Sequence, residues 1–225
     1  MSEFLKAAQV EKQEVSEGEL ALINRQSLCH LSAVDVYTFR LAACDNQVDR
    51  DYERFTDRAL EELAPLFVGR PVLLDHKWSA GSQTARVYAA GVEGEEVRRL
   101  VLRCYMPRSD STAGTIAAIE TGILRECSVG CAMGSAICSI CGADQAKAYC
   151  EHHAGKTYDG QLCVMALDDP KDAYEVSFVA VPAQPEAGVI KSKRYGGPAE
   201  PASDSETQRM AEAMQELETR RYGGM

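Results

Sequence analysis

The chain has 225 residues, 45% of them hydrophobic, and a formal net charge of −10. That length buries one sizeable core and is too short for two large domains. The negative charge opposes a phosphate backbone and argues against nucleic-acid binding, so a protein partner or peptide substrate fits better. The opening stretch MSEFLKAAQVEKQEVSEGE lacks the apolar run of a signal peptide, and nowhere do 18 uncharged apolar residues follow one another. The expectation is a soluble protein made in a cytoplasm, with no membrane partner.

From Glu19 to Cys44, LALIN and VYTFRLAAC mix apolar and polar residues and read as strands with a loop between. Thr56 can cap a helix in which Ala59, Leu60, Leu63 and Phe67 share a face, with Pro65 disturbing the last turn and Gly69 ending it. PVLLDH at 71–76 reads as a buried strand with a polar edge, and TARVYAAGVE and VRRLVLRCYM as two strands joined by a glycine-and-acid turn. Ser111 or Thr112 opens a second helix carrying Ile116 and Ile119, which Gly122 stops. Two short strand-like runs, ECSVGCAMG and AYEVSFVAVPA, flank a cluster of cysteines.

Residues 1–14 are expected to form a flexible N-terminus and 15–190 one folded domain. Beyond it, KSKRYGGPAEPASDSE reads as a linker over 191–205. Ser203 and Glu206 then make a capping-box pattern for a short helix over 206–225, with Met210, Met214 and Leu217 on one stripe. KRYGG at 193–197 recurs as RRYGG at 220–224. No longer repeat is visible.

Four of the nine cysteines crowd between 138 and 163, which points to a local metal site rather than a disulfide framework. Cys138 and Cys141, at CxxC spacing, can hold one tetrahedral ion from a tight turn. Cys150 with His152 closes the loop, and His153 and Cys163 are alternative fourth ligands. Soft thiolates favour zinc in a structural role, since an insertion over 136–163 has almost no core of its own.

In CSVGC, strand alternation sends Cys127, Val129 and Cys131 to one face and Ser128 and Gly130 to the other, so that Ser128 lies beside open space for a substrate carbonyl. A serine needs a base to become nucleophilic. Of the four histidines, two belong to the metal loop and His30 to a polar connection, leaving His76 on the end of its strand. A carboxylate should orient the imidazole: Glu175, which shares a face with Ser177, ranks ahead of Asp172 and Asp75. A cysteine nucleophile at 127 or 131 is disfavoured, because alternation turns both away from Ser128.

Taken in order, NQVDRDYERFTDRALEELAPLFVGRPVLLDHKWSAGSQTARVY, RECSVGCAM, CSICG, CEHHAGKTYDGQLC and DAYEVSFVAVPAQPEAG resemble the prohead proteases of tailed phages, in the subgroup with a zinc-finger-like insertion. The resemblance spans about residues 15–190. It implies an α+β fold like that of herpesvirus assemblin, a small and mainly antiparallel β-barrel flanked by helices with a zinc-bound loop insertion. It implies a serine endopeptidase with catalytic Ser128, His76 and Glu175, and a structural zinc on Cys138, Cys141, Cys150 and His152. Its substrates would be the scaffold, the major capsid protein and the enzyme's own chain, near the KRYGG and RRYGG repeats, cut in the cytoplasm of an infected bacterium inside the immature capsid, with homodimerisation possible. The competing expectation is a non-enzymatic capsid assembly or scaffold protein with a structural zinc finger.

Overall fold

The computed structural model describes residues 15–190. The linker, the C-terminal helix, the N-terminal segment and both RYGG motifs lie outside those residues.

The first element corrects the sequence expectation. Residues of LALIN form α1 (Glu17–Asn24), a helix rather than a strand. Its start is set by a capping box: Ser16 Oγ accepts from the Glu19 amide at 3.3 Å, and Glu19 Oε2 accepts from the Ser16 amide at 3.2 Å. Two otherwise orphaned donors are satisfied, which outweighs a short alternation. Ile23 then buries against Val36, Tyr88 and Tyr105.

Strands β1 (Val36–Asp45), β4 (Ala85–Glu93) and β5 (Arg99–Pro107) then form an antiparallel group with β5 in the middle, and Gly94 at φ 95° turns β4 into β5. Between β1 and β4 come β2 (Glu53–Phe55), α2 (Asp57–Phe67) and β3 (Pro71–Leu74). The α2 helix forms as its pattern predicts. Thr56 Oγ1 caps Ala59 N at 3.1 Å, and Ala59, Leu60, Leu63, Ala64 and Phe67 are buried against the sheet. Each fully buried Leu or Phe contributes about 1.5–3 kcal/mol relative to exposure. Pro65 sits on the exposed face of the last turn, so the helix runs on to Phe67 before Gly69, at φ 86°, reverses the chain.

After α3 (Asp110–Glu120), capped from Ser109 rather than from Ser111 or Thr112, come β6 (Cys127–Cys138) and β9 (Met165–Phe178). The short runs read from the sequence are in fact 12 and 14 residues long. Their ladder continues to the Cys138–Met165 pair, so the insertion proper occupies 139–164 rather than 136–163. Within it, β7 (Thr157–Tyr158) and β8 (Gln161–Leu162) form a small hairpin, and β10 (Gly188–Val189) returns to pair with β1.

The architecture is α+β with a mixed sheet and, among the described residues, three α-helices. Strand order is β10-β1-β5-β4-β3-β9-β2, with β6 on β9. The sheet is mixed because the long β9 takes β3 and β2 in parallel along its length while β6 runs antiparallel to it. The expected barrel is not closed as a ladder: β6 and β10 meet only through an isolated bridge at Glu126–Gly188. No described helix is long and apolar enough to cross a membrane.

Candidate active site and metal centre

Strand β9 is the frame on which the site is built. Leu73 of β3 pairs with Ser177 from one side, and Ser128 and Gly130 of β6 pair with Ser177 and Glu175 from the other. Directly opposed residues point to the same face, so Ser128, Ser177, Gly130 and Glu175 share one.

His76 reaches that face by a turn, not from the strand itself. Strand β3 ends at Leu74, and Asp75 and His76 both adopt left-handed backbone conformations, at φ 53° and 51°. That region is costly for residues with a Cβ, and here neighbouring hydrogen bonds hold it. The Asp75 amide donates to Phe178 O at 3.0 Å and the His76 amide to Ser177 Oγ at 3.1 Å. The chain folds back, and His76 Nδ1 comes to 2.7 Å from Glu175 Oε1.

Glu175 is 2% exposed, deep for a carboxylate. Its second oxygen accepts from Ser177 Oγ at 2.5 Å, so both oxygens are occupied. With Glu175 Oε1 as acceptor the Nδ1–H is the donor, and in the neutral imidazole Nε2 then keeps a lone pair for other chemistry. The imidazole is 40% exposed against 3% for the Glu175 side chain, so the base is reachable while its partner is shielded.

Ser128 is half-buried and lines a cavity of about 380 Å³. Its hydroxyl bonds to no described residue, His76 included; the nearer link is through Ser177, its cross-strand partner. Opposed Cβ atoms in such a pair lie about 4.5–5.5 Å apart.

Gly130 does not leave room for a substrate carbonyl, as strand alternation suggested. A Cβ there would overlap Glu175 Oε1, so the carboxylate itself occupies that space. Cys127 and Cys131 line the same cavity as Ser128 rather than turning wholly away from it, and a register shift interrupts the alternation between Gly130 and Cys131. Cys127 is fully buried and contacts Ala42 O, and burial pushes its thiol up to about 12. Burial, then the charges of Glu53 and Glu175, push Cys131 up to about 11. Neither is poised as a thiolate. The alternative acids stand elsewhere: Asp172 pairs with Arg70 at 2.7 Å, and Asp75 is exposed. Sequence reasoning named Ser177 only as a face-mate of Glu175. Its role in holding both Glu175 and the His76 amide had no local signature.

At the far end of the β6–β9 ladder, the donor atoms of Cys138, Cys141, Cys150 and His152 all lie within 4.8 Å of one another. Cys141 Sγ is 3.4 Å from Cys150 Sγ, and Cys150 Sγ is 3.4 Å from His152 Nδ1. Ligands of a tetrahedral zinc, at about 2.3 Å for sulfur and 2.0–2.1 Å for nitrogen, stand roughly 3.5–3.8 Å apart, so these donors fit one ion. Burial opposes the Cys138 thiolate, but hydrogen bonds from the amides of Cys141 and Ile140 and from the Cys150 and Cys163 thiols together bring it down to about 7. Tyr158 meets the His152 ring edge to face at 4.5 Å. His153 is exposed and outside the group. Buried Cys163 stands beside Cys138, with sulfurs 3.8 Å apart, as a fifth donor at the margin.

No family model, curated protein or solved structure matches this chain. Fold and site together define an α+β protein in which a buried glutamate holds a solvent-reachable histidine on a sheet face that also carries a serine, and with a Cys₃His cluster suited to a metal ion.

Proposed function

We propose that the chain is a serine endopeptidase of the phage prohead maturation type. The observation that carries this reading is the 2.7 Å contact between His76 Nδ1 and the buried Glu175 carboxylate, on the sheet face that also carries Ser128. A satisfied structural histidine needs no free Nε2 and no neighbouring hydroxyl without a partner.

In the mechanism, Glu175 holds the imidazole in the tautomer that leaves Nε2 basic and stabilises the imidazolium formed later. His76 Nε2 takes the Ser128 proton as Oγ attacks the peptide carbonyl, and returns it to the leaving amine. Water then hydrolyses the acyl-enzyme by the same proton route. Ser177 is a positioning residue, fixing the second Glu175 oxygen and the turn that delivers His76.

Cys138, Cys141, Cys150 and His152 would hold a structural zinc, which supplies a tetrahedral cross-link at the tip of the β6–β9 hairpin. Ser128 and Glu175 sit on those two strands, so ordering the tip supports their register. The approach of β6 to β10 at Glu126–Gly188 supports reading the sheet as an incompletely closed barrel of the assemblin kind. Substrates on this reading are scaffold and major capsid protein inside the immature capsid.

Fluorophosphonate labelling tests the reading, because only an activated serine reacts. Wild type should label on Ser128, and Ser128→Ala and His76→Ala should not. An unlabelled, folded wild-type protein would refute the peptidase and favour the scaffold alternative.

A further inference from the structure

Two clefts adjoin at the Gly130–Glu175 pair, and their chemistries differ. The first, of about 380 Å³, is lined by Ser128, has Phe55, Met133 and Leu167 in its walls, and carries Asp49, Asp51 and Glu53. No basic residue lines it, and among the described residues none of these three acids forms an ion pair. Asp49 Oδ1 accepts from the Asp51 and Glu53 amides at 2.9 and 2.8 Å, which fixes the three carboxylates on one tight loop. Apolar walls under a ring of unpaired negative charge match a side chain with an aliphatic stem and a cationic head.

The second cleft, of about 330 Å³, has Glu175 in its lining with the rings of Trp78 and Tyr174, whose centroids are 5.4 Å apart. Trp78 is 72% exposed and Tyr174 38%, a large apolar area to leave in water. His76 itself lines neither cleft, but Trp78 follows it by two residues and its partner Glu175 lines this one, which assigns the cleft to the imidazole's side. In acyl transfer the serine side receives the residue that donates the carbonyl, and the imidazole side receives the residue that leaves as the amine.

Resting on the endopeptidase reading above, we propose that the enzyme cuts between a basic and an aromatic residue. The basic side chain enters the Asp49–Asp51–Glu53 cleft and the aromatic ring packs on Trp78 and Tyr174. The chain carries that dipeptide twice, as Arg194–Tyr195 and Arg221–Tyr222, each followed by two glycines that let the backbone approach closely. These two bonds are self-processing sites. In each, a bond forms between Ser128 Oγ and the arginine carbonyl carbon, the C–N bond to tyrosine breaks, and the serine proton leaves on the tyrosine amine through His76. Water hydrolyses the ester and restores the hydroxyl.

Full-length enzyme is assayed on quenched fluorescent peptides containing Lys-Arg-Tyr-Gly-Gly, Lys-Gln-Tyr-Gly-Gly or Lys-Arg-Ala-Gly-Gly. The expected kcat/KM on the first exceeds each of the others by about tenfold or more. In Glu53→Gln the Arg-over-Gln ratio falls toward one, and in Trp78→Ala the Tyr-over-Ala ratio does, with folding of both confirmed by thermal melts. Intact mass of wild type should show products ending at Arg194 or Arg221 that Ser128→Ala lacks. Wild type that labels on Ser128 yet cuts the three peptides equally overturns the specificity and leaves the endopeptidase standing. Equal masses for wild type and Ser128→Ala overturn the self-processing, and failure both to label and to cut overturns the whole.

Discussion

Gly130 and Glu175 face each other across β6 and β9, and the Glu175 carboxylate fills the space any side chain at position 130 would need. The glycine is therefore part of how the His76 contact is made. Gly130→Ala should force the carboxylate off Nδ1 at an overpacking cost of about 1–3 kcal/mol. A displacement of that kind should lower peptidase activity by about 100-fold. The check is fluorophosphonate labelling rate beside a thermal melt. A variant that labels as fast as wild type would show that Glu175 does not need this geometry.

Ser177 holds the buried acid and the turn that carries the base. Ser177→Ala removes one partner from each and should destabilise the fold by about 1–3 kcal/mol. Because it acts through His76 and Glu175, kcat should fall by about tenfold with KM nearly unchanged. A purely structural role would lower the denaturation midpoint and leave kcat of the folded fraction intact, so the two constants are measured separately.

The insertion over 139–164 is held to the sheet by a cluster of only three buried residues, Cys138, Cys163 and Met165. Metal removal should therefore loosen it while the sheet persists. Chelation is expected to open Lys147 and Lys156 to trypsin, and zinc to close them again. By elemental analysis the wild type should carry one zinc per chain, Cys138→Ser should lose it, and Cys163→Ser, which keeps the Cys₃His group, should retain it.

Burial, followed by the charges of Asp49 and Asp51, raises the Glu53 carboxyl above its ordinary value. Cys131 of β6 also faces it. A raised carboxyl binds its proton more tightly in the folded chain than in the unfolded one. Stability is therefore lost as pH rises through the carboxylate range. Glu53→Gln should raise Tm by about 1–3 °C at pH 7.5, with the gain vanishing near pH 4 where Glu53 is protonated. Equal gains at both pH values would mean the effect is not electrostatic.

The elements that read correctly from the sequence carry their signals locally. Thr56, the Ala59–Leu60–Leu63–Phe67 stripe and Gly69 lie within one segment, and α2 follows from them. The CxxC turn and the neighbouring Cys150 and His152 lie within 15 residues, so their convergence needed little of the fold. LALIN misled because a five-residue alternation is a weak signal, while the Ser16–Glu19 box in front of it was the stronger one. The long β6 and β9 were underestimated because neither strand's ends are marked by its own residues; each is extended by pairing with the other.

Sequence alone determined the negative charge, the local metal-ligand spacing, the α2 helix and the short set of histidines from which a base could come. Only tertiary structure decided that the His76 imidazole meets Glu175, 99 residues away, because that contact depends on two left-handed residues closed by Phe178 and Ser177. It also decided that Gly130 makes room for the acid rather than for substrate. Spacing along a chain sets which groups are near neighbours on one element, but a contact between elements depends on register, and register here comes from β9 pairing with three strands.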